Sequence, residues 1–411
     1  MVSDMASKRE VRKNLLVLTS TFPRWEGDSE PRFIYDLCSR LSSHFNVIVL
    51  APHVEEAMRE ELTGNIKIYR YRYAPDSWEK LAYEGGITAS LRDRKLNWIL
   101  LPTFILSQFL AIRKIIKRED IDIIHAHWII PQGMLAIACR FMLNKKPKII
   151  CTSHGADLFG LTDPVSKMIK RWVINRVDGM SVVSNIMVTK VAELSSTKSE
   201  LCTVIPMGTD STSTFIVNPD KNRKRFQLLF VGRLVEKKGL RYLVECLPFL
   251  LKKFPEIKLK VAGSGPEQIL LELLVDKLGL SSRIDFLGRV SHQNLVNLYQ
   301  ESTMAIFPFI QAEDGDMEGL GLVMVEALAC QCPVIAGDVP AVKDVIENEL
   351  SGLIIDPKHT DLLEHAISRM LNDREQAQEM ARCGREYVHG KFGWESVSSS
   401  YIEFLETAGS P

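Results

Sequence analysis

Two glutamates flank a Gly-Leu-Gly turn at positions 319–321, inside the segment MAIFPFIQAEDGDMEGLGLVMVEALACQCPVIAG. Glu318 precedes the turn, and Glu326 follows it on a predicted helix. Glycines before a helix let the backbone approach a ligand closely, and the first helical turn offers free N–H groups to an anion. Because helical side chains lean towards the N-terminus, Glu326 can reach the end that Glu318 occupies. The segment therefore predicts a pocket for an anionic group with two carboxylates beside it, which suits sugar hydroxyls next to phosphate.

A glycine and two positive charges stand at another strand-to-helix turn, in RFQLLFVGRLVEKKGL. Gly232 permits close approach, Arg233 offers a planar fork of donors, and Lys238 offers a mobile point charge. Such a group at the ligand edge of a sheet predicts a phosphate cradle. Lys237 takes the place of Lys238 if the register of the loop differs. The next predicted strand ends in a turn at Gly263, which lacks the third glycine of a dinucleotide-binding fingerprint.

His154 follows the predicted strand KIICTS, and ligands of parallel α/β sheets bind outside such strand ends. The alternative interpretation is a structural histidine. Asp157, shortly after it, either contacts a substrate or caps its own loop. His125 and His127 lie on one face of the predicted strand IDIIHAHW. Without a third ligand, two such histidines indicate packing or hydrogen bonding more than a metal pair.

The elements that must position these residues alternate between strand and helix in both halves of the chain, which predicts an α/β protein with parallel sheets. Ser211–Lys224 is rich in Ser, Thr, Asn, Asp and Lys and has no periodicity, so it is interpreted as a linker between domains. A chain of 411 residues is long enough for two domains. Asp163 and Pro164 predict a helix start, and FGWESVSSSYIEFLE predicts a terminal amphipathic helix.

The string EGLGLVMVEA, followed by CPVIA, resembles the donor-site signature of the retaining glycosyltransferases of family 4, the group 1 enzymes that include glycogen synthases and phosphatidylinositol mannosyltransferases. GRLVEKKG matches the diphosphate motif of that family, and HAHW followed by PQG is similar to its cleft-facing strand end. The resemblance implies the GT-B fold, in which two Rossmann-like domains with parallel sheets face each other across a cleft. It implies an acceptor-binding domain at 1–213, a donor-binding domain at 214–391, and a helix at 392–411 that crosses back to the first domain.

The reaction implied by the resemblance moves a hexose or related sugar from a nucleotide diphosphate sugar, of UDP or GDP type, to a glycan, lipid-linked or small-molecule acceptor. Configuration is expected to be retained through front-face attack, with the leaving phosphate oxygen taking the acceptor proton, rather than through a covalent intermediate on Glu318. Neither a metal nor a cofactor is implied. Such an enzyme would serve the biosynthesis of cell-surface polysaccharide or glycolipid.

Site roles follow from the resemblance residue by residue. The implied catalytic residues are His154, Glu318, Arg233 and Lys238. The implied donor-binding residues are Gly232, Gly263, Arg289, Val290, Gly319, Leu320, Gly321 and Glu326. In the family Glu326 would hold the ribose, Glu318 the donor sugar, and the main chain near Val290 the base. The residues expected near the acceptor are Arg24, Gly27, Arg32 and Asp157, with solvated surface charge as the alternative for the two arginines.

Composition excludes several other classes. The 51 basic and 51 acidic residues cancel, which argues against a nucleic-acid partner. The eight cysteines are scattered through apolar segments without a disulfide framework, and Cys330 and Cys332 lack the second ligand pair of a metal site. The polar N-terminal segment predicts no signal peptide. We therefore expect a cytoplasmic protein, and the sequence does not indicate its oligomeric state.

The apolar run WILLPTFILSQFLAI begins at Trp98 and is about 15 residues long, short of the roughly 20 that a membrane span requires. A buried helix is the first interpretation. The second is a helix that dips into a membrane surface, because basic residues follow at Arg113, Lys114, Lys117 and Arg118. Peripheral contact through 98–118 with the inner face of the cytoplasmic membrane would suit a lipid-linked acceptor.

Three rival functions remain open. A dinucleotide-dependent oxidoreductase is disfavoured because the turn after the first strand lacks G-x-G-x-x-G. A sugar-nucleotide epimerase or hydrolase of the same fold would act on the donor without an acceptor. A non-catalytic partner subunit would not need the charged donor contacts, which are all in place. The sequence leaves the sugar, base, acceptor, linkage and pathway undetermined.

Overall fold

The structure is a computed structural model that describes residues 12–28, 30–83, 86–87, 90–91, 94–144, 146–195 and 202–408. Among these residues the chain forms two β-sheets. The strands of the first are β1 Asn14–Leu18, β2 Asn46–Pro52, β3 Glu60–Thr63, β4 Ile66–Tyr71, β5 Ile123–His127, β6 Lys148–Ser153, β7 Gly179–Val182 and β8 Cys202–Val204. The strands of the second are β9 Gln227–Val231, β10 Lys258–Ala262, β11 Ile284–Gly288, β12 Met304–Phe307, β13 Val334–Gly337 and β14 Leu353–Ile355.

Helices connect the strands and cover both sheets. Those of the first half are α1 Phe33–Leu41, α2 Leu100–Glu119, α3 Met134–Arg140, α4 Ala156–Phe159, α5 Pro164–Ile174 and α6 Asn185–Leu194. Those of the second half are α7 Leu240–Lys253, α8 Gln268–Lys277, α9 His292–Glu301, α10 Leu322–Ala329, α11 Thr360–Asn372, α12 Arg374–Phe392 and α13 Trp394–Thr407. The first half and the second half thus repeat one α/β architecture.

The sheets have the order β3-β4-β2-β1-β5-β6-β7-β8 and β11-β10-β9-β12-β13-β14. The central strands are buried on both faces because helices cover both sides, which explains their continuous runs of Val, Ile and Leu. Pairing between the described strands is parallel except for β3, which runs antiparallel to β4 at the sheet edge. The predicted α/β fold with two Rossmann-like, mostly parallel sheets is confirmed, whereas β3, with the polar sequence EELT, was missed.

The link between the two sheets is irregular from Ile205 to Phe226, as the composition predicts. Asp163 caps α5 by accepting a hydrogen bond from the Ser166 N–H, with proline at the start of the helix. The terminal helix α13 lies on the first domain, where the Tyr401 hydroxyl donates to the Ile205 carbonyl over 3.3 Å. It begins after Gly393, because the residues before it belong to the long helix α12.

The apolar run is longer than the sequence suggests. With the preceding turn, α2 gives a helical segment of 24 residues at Leu96–Glu119, and its most apolar window is long and apolar enough to cross a membrane by length and composition. Only 33% of that window is buried. Phe104 and Ile112 pack into the core, while Leu106 and Leu110 face outward. The buried-helix interpretation therefore holds for one face of α2 and fails for the other.

Candidate active site

Two adjoining cavities lie between the sheets, with volumes of about 730 and 580 Å3. Both fall in the range usual for small-molecule sites. The described residues of the first include His154 from one domain and Lys238, Glu318, Leu320, Gly321 and Glu326 from the other. The described residues of the second include Gly232, Arg233, Gly263, Arg289 and Val290. The structure therefore brings together, along one cleft, residues that are far apart in the sequence.

Lys238 and Glu318 form the central ion pair of the first cavity. The Lys238 Nζ lies 2.6 Å from the Glu318 Oε2, and the two side chains are 13% and 14% exposed. The ammonium also lies 4.6 Å from the ring centroid of Phe309. Burial would raise the pKa of Glu318, but the ammonium groups of Lys238 and Lys237 hold it at about 2. Glu318 is consequently a carboxylate at any working pH.

The neighbouring Lys237 points elsewhere. Its Nζ donates to the Asp316 carboxylate and to the Met317 carbonyl, each over 3.1 Å, so that it holds the two residues that directly precede Glu318. The register that the sequence left open is thereby settled in favour of Lys238 in the cleft. Gly239 fixes which of the two lysines faces the cleft, because only glycine fits here: its φ is +65°, and a Cβ would lie 1.8 Å from the Pro308 carbonyl oxygen.

Glu326 is half-buried on α10 in the same cavity. The Tyr299 hydroxyl lies 3.2 Å from Glu326 Oε2 and 3.1 Å from the Val323 carbonyl oxygen. Burial raises the pKa of Glu326 to about 7, against the opposing effects of Tyr299 and Lys238. Two carboxylates in one cavity thus differ in protonation at neutral pH, because one has an ammonium in contact and the other a neutral hydroxyl.

Glycines shape the second cavity and the joint between the domains. A Cβ on Gly263 would lie 1.9 Å from the Gly232 carbonyl oxygen, so the two turns pack backbone to backbone beside Arg233. A Cβ on Gly319 would lie 2.7 Å from the His154 carbonyl oxygen, so the Gly-Leu-Gly turn touches the first domain. The backbone of Leu320 hydrogen-bonds Glu318 and helps to lower its pKa. Arg289 donates from Nε to the Ser264 hydroxyl over 3.3 Å.

His154 stands at the end of β6, half-buried, with its ring centroid 5.2 Å from that of Phe33 and 5.0 Å from that of Trp128. Its Nε2 lies 2.9 Å from the Nδ1 of His127. Burial, with a smaller contribution from His125, lowers the pKa of His154 to about 3. The imidazole is therefore neutral.

The residues expected near the acceptor do not gather as a group. The Arg24 guanidinium forms a bidentate salt bridge with Asp28, in which Nε donates to Oδ2 over 2.8 Å and NH2 donates to Oδ1 over 2.7 Å. Asp157 is 5% exposed and accepts from the Ile129 N–H and the Ser153 hydroxyl, each over 2.7 Å, so both of its carboxylate oxygens are engaged by the protein. Neither residue lines the described part of the two cavities, and nor does the exposed Gly27. Arg32 does line the first cavity, 3.8 Å from the Asp36 carboxylate.

Sequence reasoning missed several residues of the first cavity. They come from α1, the linker, α9 and the start of α13, and include Asp36, Arg40, Asp210, Phe215, His292 and Trp394. Arg40 lies over the Trp394 ring at 4.7 Å. Tyr299 was missed as well. No local motif marks these residues, because each reaches the cleft only through the packing of separate elements.

One group of side chains outside the cleft has the composition of a metal site. Ligand atoms of His53, Asp76 and Glu79 lie within 4.8 Å of one another. However, Arg72 already forms an ion pair with Asp76, and His53 pairs with Glu79 and with the Ala57 carbonyl. The charges of this group are satisfied by protein partners, so it is a structural network.

Two family models match the chain and together cover most of it. The model described as Glycosyltransferase Family 4 matches residues 31–213, and the model described as Glycosyl transferases group 1 matches residues 212–387. The two matches meet at the start of the linker that composition predicts.

Relatives and solved structures agree with these matches. The GDP-mannose-dependent alpha-(1-6)-phosphatidylinositol monomannoside mannosyltransferase of Mycobacterium tuberculosis is 27% identical over 303 residues, 71% of this chain and 78% of that protein. The N-acetyl-alpha-D-glucosaminyl L-malate synthase of Bacillus anthracis is 25% identical over 308 residues, 73% of this chain and 78% of that protein.

Among solved structures, the sucrose-phosphate synthase of Thermosynechococcus elongatus superposes with TM-score 0.76 at 21% identity, over 96% of this chain and 99% of that chain. Anabaena Alr3699/HepE, solved in complex with UDP and glucose, superposes with TM-score 0.73 at 16% identity, over 96% of this chain and 100% of that chain. At these identities the superpositions establish the fold.

Proposed function

Given that this chain belongs to the group 1 glycosyltransferases of the family 4 type, we propose that it transfers a hexose or related sugar from a nucleotide diphosphate sugar, with retention of configuration, to a glycan, lipid-linked or small-molecule acceptor. The observation that carries the proposal is the ion pair of Lys238 with Glu318 beside Glu326, facing His154 across the cleft. Arg233 lies in the adjoining cavity.

In this proposal Lys238 and Arg233 neutralise the charge that develops on the departing diphosphate, and the backbone of Gly319–Gly321 supplements them. Preorganised positive charge in a water-poor cleft is usually the largest catalytic contribution. Glu318 accepts from the donor sugar hydroxyls and Glu326 from the ribose, while the turns at Gly232 and Gly263 and the main chain near Val290 hold the nucleotide. Since two side-chain cations already face the diphosphate, transfer is expected to survive EDTA.

Retention is proposed to arise from attack on the face of the sugar from which the diphosphate leaves. The leaving phosphate oxygen takes the acceptor proton, and Glu318 remains a hydrogen-bonding carboxylate. Its contact with Lys238 supports that role, because the ion pair engages the carboxylate that a covalent route would need as a nucleophile. The anomeric configuration of the product, read by NMR, tests retention itself, which the front-face and covalent routes share.

Donor and acceptor classes are proposed from the relatives. The mycobacterial relative is named for GDP-mannose and a phosphatidylinositol mannoside, and Alr3699/HepE was solved with UDP and glucose. These names support a UDP- or GDP-sugar donor, and the mycobacterial name supports a role in glycolipid biosynthesis, with cell-surface polysaccharide as the other proposed product. Arg32 and Arg40 in the first cavity would suit an anionic acceptor.

We further propose a peripheral position on the inner face of the cytoplasmic membrane. Trp98, Leu106 and Leu110 are 57%, 57% and 53% exposed, and Lys114 and Lys117 continue the same side of α2. An apolar face that ends in basic residues suits an anionic lipid surface, which would bring a lipid-linked acceptor to the enzyme.

A panel of UDP- and GDP-sugars tests the function. The true donor should raise the melting temperature, be hydrolysed slowly without acceptor, and support transfer once an acceptor is added. Rapid rearrangement or hydrolysis without any acceptor would favour the epimerase or hydrolase alternative. Absence of stabilisation by every nucleotide sugar would refute the proposal.

A further inference from the structure

We propose that His127 is a positioning residue that fixes the proton of His154 on Nδ1, so that His154 presents a hydrogen-bond donor, and not a base, to the cleft. The catalytic consequence rests on the proposed glycosyl transfer, whereas the position of the proton does not. His127 is the second histidine of HAHW, whose role the sequence left between metal binding and packing.

The geometry of the two rings is that of a direct hydrogen bond. His127 is the last residue of β5 and His154 follows the adjacent parallel strand β6, where His127 pairs with Thr152. Nδ1 of His127 and Nε2 of His154 are 2.9 Å apart. The ring planes differ by 14° and the centroids are 5.1 Å apart. With the nitrogens so close, this centroid separation means that the rings lie edge to edge and that the nitrogens point at each other.

Proton counting then assigns the donor. His127 is fully buried, and its Nε2 finds no hydrogen-bond partner among the residues that the structure describes. A buried N–H without an acceptor is rarer than a buried acceptor without a donor, so Nε2 of His127 is the bare nitrogen. Its proton is therefore on Nδ1 and is donated to Nε2 of His154.

The proton of His125 is assigned in the same way. His125 stands 4.2 Å from His127, ring centroid to centroid. Its Nε2 lies 2.7 Å from the Thr152 hydroxyl, which lies 2.6 Å from the Ser181 hydroxyl. Within the described part of the chain its Nδ1 has no partner, so it carries its proton on Nε2 and donates to Thr152. Burial lowers the pKa values of all three histidines, so each carries one proton.

The consequence lies at the cleft. With Nε2 of His154 occupied as an acceptor, its single proton sits on Nδ1, the nitrogen left for the cavity that His154 lines. His154 can donate to a sugar hydroxyl or to a developing negative charge, and it has no free lone pair with which to deprotonate an acceptor. The reverse arrangement, with His154 donating to His127, would leave a base at the cleft and an orphaned N–H on His127.

Nitrogen-15 NMR of the full chain with labelled histidine tests the assignment without substrate. The signals of His154 are identified by their loss in His154→Gln. The expected result is that His154 has its proton on Nδ1 and a bare Nε2 from pH 6 to 8. A proton on Nε2 in the unliganded wild type would overturn the proposal.

Two variants test the positioning role. His127→Leu removes the donor at similar volume, and His127→Asn keeps an amide N–H near the Nδ1 position. We expect His127→Leu to let His154 populate both tautomers and to lower kcat at least about tenfold, as loss of one hydrogen bond in the transition state would. We expect His127→Asn to keep the proton of His154 on Nδ1 and to keep kcat near that of the wild type. Unchanged tautomer and kcat in His127→Leu would refute the role. Nucleotide-sugar binding by the wild type is measured in parallel, so a failure of the proposed function shows as absent binding with the NMR result intact.

Discussion

At the scale of single residues, Lys238 is held by Glu318 before any diphosphate arrives. Their contact of 2.6 Å keeps a half-buried ammonium in place and keeps Glu318 ionised. A diphosphate must share Lys238 with this carboxylate, and the donor sugar hydroxyls can then donate to Glu318. The pair is preorganised for a substrate that brings negative charge and hydroxyls together.

Lys238→Ala should lower kcat/KM by about 100-fold or more, because it removes a charge that stabilises the leaving diphosphate. The protein should still fold, since Glu318 can take up a proton when its partner is lost. The matched control is Lys237→Ala, which removes an adjacent lysine bound to Asp316. Steady-state kinetics compare the two, and full activity in Lys238→Ala, or an equal loss in both variants, would contradict the assignment.

Donor binding should depend on pH through Glu326, whose pKa is raised to about 7. The carboxylate must be ionised to accept two hydrogen bonds from a ribose, so binding releases a proton below pH 7. Affinity should therefore rise with pH by about tenfold per unit up to pH 7 and then level off. Calorimetry with a nucleotide sugar in buffers of different ionisation enthalpy checks this. Glu326→Gln should bind the donor more weakly and without the pH dependence. The same dependence of affinity on pH in both proteins would exclude Glu326 as its source.

Where a motif is local, the sequence was enough to expect its residues at one site, and the roles of those residues stay predictions. Glu318, Glu326, Arg233, Lys238 and His154 belong to strand-end motifs, and the structure gathers them along one cleft. Arg24 and Asp157 were expected near the acceptor from their type and position. A sequence does not show that protein partners already satisfy their charges, Asp28 for Arg24 and the Ile129 and Ser153 donors for Asp157.

At the scale of elements, strand and helix positions followed from hydrophobic runs and from glycine and proline signals, because buried parallel strands are continuous apolar segments. The edge strand β3 was missed, since its polar, half-exposed sequence gives no such signal. The length of α2 was underestimated for a similar reason, because its last turns are basic and fall outside the apolar run.

Gly239→Ala should destabilise the protein far more than Gly279→Ala. The two glycines have φ +65° and +68°, but a Cβ on Gly239 would meet the Pro308 carbonyl oxygen at 1.8 Å, whereas Gly279 has none of the described atoms within 4 Å. Backbone strain alone costs about 1–2 kcal/mol at Gly279. At Gly239 we expect at least about 3 kcal/mol, together with loss of activity as Lys238 moves. Equal denaturation midpoints for the two variants would show that the close approach of Gly239 to the Pro308 carbonyl does not fix the conformation of this loop.

Membrane contact by α2 is tested with vesicles that contain anionic lipid. Leu106→Glu combined with Leu110→Glu should reduce sedimentation with vesicles by about tenfold or more, because it removes apolar area from the contact and adds repulsion. Leu273→Glu, at an exposed leucine of the other domain, is the control and should bind as the wild type does. Binding that survives the double substitution would remove α2 from the contact.

At the scale of the whole molecule, the cleft exists because two separate sheets present their strand ends to each other. Contacts join the domains beside it: the Asn185 backbone and side chain both donate to the Asp344 carboxylate over 2.6 Å, and the Gly319 turn abuts His154. Helix α13 returns to the first domain, where Trp394 packs on Gly208. Composition located the linker, but the residues that the linker and α13 add to the cleft depend on how the domains pack.

A crystal structure of the protein with UDP or GDP, whichever stabilises it more, tests the central claim most directly. Diphosphate density is predicted beside Lys238 and Arg233, with the ribose on Glu326 and the cavity towards His154 left for the sugar. Density for the nucleotide elsewhere, or a diphosphate out of reach of Lys238, would contradict the account.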